Sequence, residues 1–134
     1  NRILKFNLTG EYLTEIGGND AGIFALSNPL DFCIDKQNDI FVLDDSSIKV
    51  FDQFGNGKYK IDLDFTPHKI ELSHTEIILI EENRIVFYRT SDKKITNEFK
   101  DLFNNLEEKI IDAKRIGNYV YVLSSNKIVK YKFK

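Results

Sequence analysis

Apolar residues in this chain come in short bursts of two kinds. One kind is continuous: Ile40-Phe41-Val42-Leu43, Ile77-Ile78-Leu79-Ile80 and Val120-Tyr121-Val122-Leu123 are apolar at consecutive positions. The other kind alternates with polar residues. Leu30-Asp31-Phe32-Cys33-Ile34-Asp35 puts Leu30, Phe32 and Ile34 on one face and Cys33 between two aspartates on the other, and Val129, Tyr131 and Phe133 alternate with Lys130, Lys132 and Lys134. Alternation marks a strand covered on one face, and a continuous run of strand length marks a strand covered on both. Turn residues such as Phe54-Gly55-Asn56-Gly57 and Thr90-Ser91-Asp92 separate the bursts. The strands predicted are 2–6 and 11–16; 29–35, 39–43, 48–51 and 58–63; 67–72, 76–80, 84–88 and 94–99; and 109–114, 119–123 and 127–133.

These strands repeat as a unit. Asp44-Asp45-Ser46-Ser47-Ile48-Lys49-Val50-Phe51, Glu81-Glu82-Asn83-Arg84-Ile85-Val86-Phe87-Tyr88 and Ser124-Ser125-Asn126-Lys127-Ile128-Val129-Lys130-Tyr131 share one pattern, and Asn1-Arg2-Ile3-Leu4-Lys5-Phe6 is a fourth copy. Aligning Ile3, Ile48, Ile85 and Ile128 gives spacings of 45, 37 and 43 residues. Periods near forty indicate stacked supersecondary units. The continuous second strands need cover on both faces, and with too few helices to supply it the cover must be further copies of the same sheet. Four-stranded sheets packed face to face around an axis make a β-propeller. The predicted fold is therefore all-β, a segment of about three four-stranded antiparallel blades occupying 1–17, 29–63, 67–99 and 109–134.

The residues that carry this pattern also resemble a known family. Pro29 with its extended strand, then Asp39-Ile40-Phe41-Val42-Leu43-Asp44, then Ile48-Lys49-Val50-Phe51-Asp52 and Gly55, is similar to an NHL repeat. Asn1-Arg2-Ile3 with Phe6 and Gly10, and Gly17-Gly18 through Gly22, Phe24 and Pro29, fit the same template. The resemblance covers nearly the whole chain and fades after Leu63: Glu81 and Glu82, then Ser124 and Ser125, stand where aspartate is usual, without the glycine turn. It implies a six-bladed propeller of the kind found in exported proteins of environmental and gut bacteria, hence an extracytoplasmic location, periplasmic or at the cell envelope. Some NHL-like propellers are lyases or lactonases with several channel-facing His, Asp, Glu or Asn ligands, a set this sequence does not supply.

Thirteen strands fall short of a closed ring, which needs about sixteen or more. If each open blade face exposed roughly 500 Å² of apolar surface, about 12 kcal/mol per face would be forfeited. The expectation is that the remaining blades of a longer chain, or a partner, cover the end blades. A homodimeric ring requires a terminal strand to be displaced, because a third strand sits at both ends.

Composition narrows the chemistry. With 42% hydrophobic and 30% charged residues the chain is expected to fold rather than stay disordered. No stretch approaches the eighteen or so apolar residues of a membrane helix, so this segment is not expected to insert in a membrane. Net charge is −2, divided as 6 basic and 11 acidic residues over 1–67 and 13 basic and 10 acidic over 68–134. That asymmetry is too mild to favour nucleic-acid binding. Cys33, the single cysteine, excludes an intrachain disulfide and a multi-thiolate metal site, and is expected to pack.

Candidate side chains mostly have structural readings. Asp44 and Asp45 fall at a hairpin, where carboxylates accept backbone N–H bonds. His68 and His74 flank the first strand of the second full blade, six residues and so about 20 Å apart, too far to share a metal ion. Gly17-Gly18-Asn19-Asp20-Ala21-Gly22 lacks the Lys-Ser/Thr of a phosphate loop and reads as a flexible inter-blade connection. Asn7-Leu8-Thr9 is formally a glycosylation acceptor to which no role is given. One segment departs from the strand pattern: Phe99, Leu102, Phe103, Leu106 and Ile110 fall at helical spacing, predicting a short helix over about 97–108. Plugging a blade edge is its simpler role, and Phe99, Leu102, Phe103 and Leu106 are the candidate partner-binding residues.

The sequence thus predicts a non-catalytic protein-interaction or scaffold module, with no cofactor and no metal of its own. The alternatives are a fragment of a propeller hydrolase or lyase whose metal site lies in other blades, and an RNA-binding propeller using the basic C-terminal half.

Overall fold

The computed structural model describes residues 1–105 and 107–133. Thirteen strands run through the described residues, and each sits within one or two residues of its predicted place. The chain divides into two compact units, Asn1–Thr66 and the remainder from Pro67. Among the described residues no helix is long and apolar enough to cross a membrane.

In the first unit β1 (Ile3–Phe6) pairs antiparallel with β2 (Tyr12–Ile16). A four-stranded antiparallel sheet follows in the order β3 (Pro29–Ile34), β4 (Ile40–Asp44), β5 (Ser47–Phe51) and β6 (Gly57–Asp62). All five residues of β4 and of β5 are buried. On one face Ile40, Val42 and Phe51 form a core with Ile16 and Leu26, against which Ile3 and Phe24 pack. The segment expected to be a flexible connection instead contains a short 3-10 turn, Asn19–Phe24, which carries Phe24 edge-on to Phe51 with ring centroids 5.9 Å apart. This approach explains Gly57 at the start of β6: a Cβ there would lie 2.2 Å from the Phe24 ring. Gly17, in the left-handed region at φ +72°, accepts the Leu26 N–H at 2.8 Å and leaves no room for a side chain beside Leu26.

In the second unit the order is β7 (Lys69–Ser73), β8 (Glu76–Ile80), β9 (Arg84–Arg89) and β10 (Lys94–Lys100), all antiparallel. A three-stranded sheet of β11 (Ile110–Ile116), β12 (Tyr119–Ser124) and β13 (Ile128–Lys132) completes it. The two sheets pack through Ile78, Ile80, Ile85 and Phe87 on one side and Ile110, Ala113, Val120 and Val122 on the other. Ion pairs stitch the same seam: Lys69 to Asp112 at 3.3 Å, Lys114 to Glu71 at 2.8 Å and Arg115 to Glu76 at 3.2 Å.

Two expectations change. The helix predicted over 97–108 is not formed at its start, because residues 97–100 continue β10 with Phe99 opposite Ile85. Asp101, at φ +50°, then turns the chain, and no helix is assigned to the described residues up to Ile110. Strand pairing gives the backbone of 97–100 its hydrogen bonds, and Phe99 gains rings to pack on, so the helical spacing of apolar residues is coincidental. The second change concerns β12, which was expected to be covered on both faces. Val120 and Val122 are buried, whereas Tyr119 and Leu123 are exposed.

Candidate interaction surface

An open apolar surface of the first unit lies on β1 and β3. Each pairs with a single neighbour in its described sheet, β1 with β2 and β3 with β4, so each is the end strand of its sheet. The alternation along β3 follows the sequence pattern, but its sense is opposite to a core strand: Leu30, Phe32 and Ile34 are 45%, 49% and 49% exposed, while Asp31 and Cys33 are half-buried. Leu4 and Phe6 of β1 are similarly open. Two hollows of about 410 and 420 Å³ run along these strands and share Ile3, Leu4 and Phe32 in their walls, so they form one trough. At its rim Lys5 Nζ donates to the Gln53 carbonyl at 2.8 Å. An apolar trough along two end strands suits an extended, apolar segment, which can bury alternate side chains against Leu4, Phe6, Leu30, Phe32 and Ile34.

A buried ion pair links β4 and β5 of the same sheet. Lys49, in the middle of β5, reaches Asp44 Oδ2 at 2.7 Å and the Ala25 carbonyl at 2.5 Å. The Asp44 carboxylate also accepts the N–H groups of Ser27 at 3.0 Å and Asn28 at 2.7 Å. Burial, the largest single influence, pushes the Asp44 carboxyl up, but the hydrogen bonds from Lys49, Ser27 and Asn28 together with the Lys49 charge outweigh it and hold it below the ordinary carboxylate value. Asp44 therefore secures the connection entering β3 rather than its own hairpin. Asp45 occupies the turn at φ +52° and accepts Asn28 Nδ2 at 2.9 Å. Sequence reasoning read the two aspartates as turn formers and gave Lys49 no part; its signal was a lone lysine where the aligned repeats have Val86 and Val129.

In the second unit Phe99, Leu102 and Phe103 come together, half-buried against the inter-sheet core. Phe99 lies near Phe87, Tyr131 and Phe133, with centroids 6.0 to 6.3 Å apart. The Leu102 carbonyl accepts Tyr131 Oη at 3.1 Å, and Lys127 Nζ stands 5.4 Å from the centre of the Phe103 ring. Leu106 lies outside the described residues. Leu102 and Phe103 also line a polar hollow of about 190 Å³ with Glu82, Glu108 and Lys109. His68 precedes β7 and His74, at φ +57°, forms the β7–β8 turn. Among the described residues no group of three His, Cys, Asp or Glu side chains is placed to hold a metal ion.

No protein-family model and no curated protein matches the chain. Solved structures do. A protein of unknown function from Bacteroides caccae superposes with a TM-score of 0.62 at 15% identity, over 90% of this chain and 47% of that one. Hsv2 from Kluyveromyces lactis gives 0.59 at 16%, over 81% and 34%. A streptogramin B lyase gives 0.58 at 20%, over 99% and 48%. At such identities the likeness is one of fold: the chain is an all-β propeller segment built of antiparallel blades, and it spans less than half the length of these structures.

Proposed function

We propose that the chain is a non-catalytic protein-interaction module of NHL-like propeller type, working as part of a larger propeller or assembly. The observation that carries this reading is the apolar trough of β1 and β3, where Leu4, Phe6, Leu30, Phe32 and Ile34 stay about half open. Completing the burial of such side chains contributes on the order of 1 kcal/mol each, so the trough is a surface that gains by being covered. The carboxylates in the turns support the same reading, because they are taken up by their own backbone. Asp35 accepts the N–H groups of Gln37 and Asp39, and Asp52 those of Phe54 and Asn56. Phe103, beside the hollow of the second unit, is a secondary contact, with Phe99 and Leu102 packed against the same core.

The test is the mass of the protein from its native source, under denaturing and native conditions. A denatured mass above 15.6 kDa, or a native complex that Phe32→Asp dissociates, supports the reading. A stable 15.6 kDa monomer whose solubility Phe32→Asp leaves unchanged defeats it. A lyase-type propeller is the second reading, prompted by the match of 99% of this chain to a streptogramin B lyase. A tightly bound divalent ion in the intact protein would favour it over the first.

A further inference from the structure

The connection from β2 to β3 is held by a device the other repeats lack. Lys49 faces Val42 across the β4–β5 ladder, whereas the matching positions pair Val86 with Leu79 and Val129 with Val122. Asp44 likewise gives way to Glu81 and Ser124 in the aligned repeats. The pair grips the connection at three backbone points, the Ala25 carbonyl and the N–H groups of Ser27 and Asn28.

We propose that the Asp44–Lys49 pair is a latch that selects one conformation of the connection over residues 17–28, without adding to global stability. Removing two charges from water costs about as much as their attraction returns, so a buried pair yields little net stability. Its geometry is demanding, and that is what the connection needs. Gly17 and Gly22 both sit at positive φ, Gly22 inside the 3-10 turn, and Ile23 is exposed. Phe24 and Leu26 supply apolar packing, which is non-directional and compatible with several paths of a glycine-rich backbone. The charged contacts single out one path.

Hydrogen exchange on the whole chain tests the latch. The informative amides are Ala21, Ala25 and Leu26, which donate to the Gly18, Gly22 and Gly17 carbonyls and not to the pair itself. In D44L/K49M, which replaces both charges by apolar groups of similar size, their protection is expected to drop about 100-fold, while β4 and β5 amides and the unfolding midpoint stay near wild type. A folded D44L/K49M that keeps wild-type protection at these three amides overturns the proposal, as does one in which they and the β4 and β5 amides lose protection together. Should D44L/K49M fail to fold, the wild-type protein decides on acidification. Lys49 is the cation on Asp44; at that end of the sheet Asp45 is held by Asn28 Nδ2, and Asp62, opposite Ser47, pairs with Lys60. The latch predicts that Ala21, Ala25 and Leu26 lose protection at higher pH than β4 and β5; simultaneous loss defeats it.

Discussion

The third strands β9 and β13 begin almost alike and end up in different surroundings. Asn83-Arg84-Ile85-Val86-Phe87-Tyr88 aligns with Asn126-Lys127-Ile128-Val129-Lys130-Tyr131. Ile85 is 0% exposed and Ile128 is 70% exposed. Phe87 is enclosed by Phe99 and Phe133, whereas Lys130 at the aligned position lies 3.8 Å above the Tyr119 ring. The β11–β13 sheet covers the Ile85 face of β9, and no described residue does the same for the Ile128 face of β13. The same strand pattern is thus worth several kcal/mol or almost nothing, depending on whether a second sheet lies against it.

The sharpest way to break this contrast is to truncate the aligned pair. Phe87→Ala should lower unfolding stability by about 4 kcal/mol, since it removes a fully buried ring with two aromatic partners. Lys130→Ala should stay within about 0.5 kcal/mol; urea titrations of both variants measure the difference, and comparable losses would show that the outer face of β13 is covered in solution. Ile85→Ala and Ile128→Ala extend the comparison with identical chemistry, at about 3 kcal/mol and less than about 0.5 kcal/mol respectively.

A smaller effect probes the loop that seals the seam. Tyr131→Phe removes the hydroxyl bonded to the Leu102 carbonyl and should cost about 1 kcal/mol. Tyr119→Phe, on the open face of the same sheet, should cost nothing measurable by thermal melting. The smallest effect concerns the fourth strand, which β9 has and the β11–β13 sheet lacks among its described strands. Glu98 of β10 pairs with Arg84 of β9 and with Lys100. Burial pushes its carboxyl up, but the hydrogen bonds and charges of Lys100 and Arg84 prevail and hold it below its ordinary value. A carboxyl depressed in the folded state contributes stability that is complete above its unfolded pKa and is lost as pH falls through the folded one. Glu98→Gln should therefore lower stability slightly at neutral pH and leave it nearly unchanged at acid pH, which flattens the acid limb of the stability profile; an unchanged acid limb in urea titrations across pH would show that the pair is screened by solvent.

Much of the fold was legible because strand patterns and turn chemistry are local. Gly55 and Asn56 close the β5–β6 turn with Asp52 in the way their sequence suggests, the Asp52 carboxylate taking Asn56 N–H at 2.9 Å. The segment 97–100 misled because Phe99, Leu102 and Phe103 satisfy helical spacing equally well, and the choice was made by Ile85 across the ladder and by Tyr131 and Phe133 far along the chain. Lys49 was passed over for a similar reason. A lysine between Ile48 and Val50 reads as a solvated position until Asp44 and the Ala25 carbonyl are brought to it. Leu30, Phe32 and Ile34 were legible as one face of a strand, but whether that face is core or surface depends on what stands opposite.

The sequence by itself determined the strand boundaries, the repeat near forty residues and the propeller class, because backbone propensity, period-two alternation and turn residues act over a few positions. Tertiary structure decided which repeated faces become core, which charges are buried and which apolar stripe stays open as a trough. Those outcomes depend on the surface that each strand meets, and burial energy follows the area removed from water by a neighbour rather than the identity of the side chain alone.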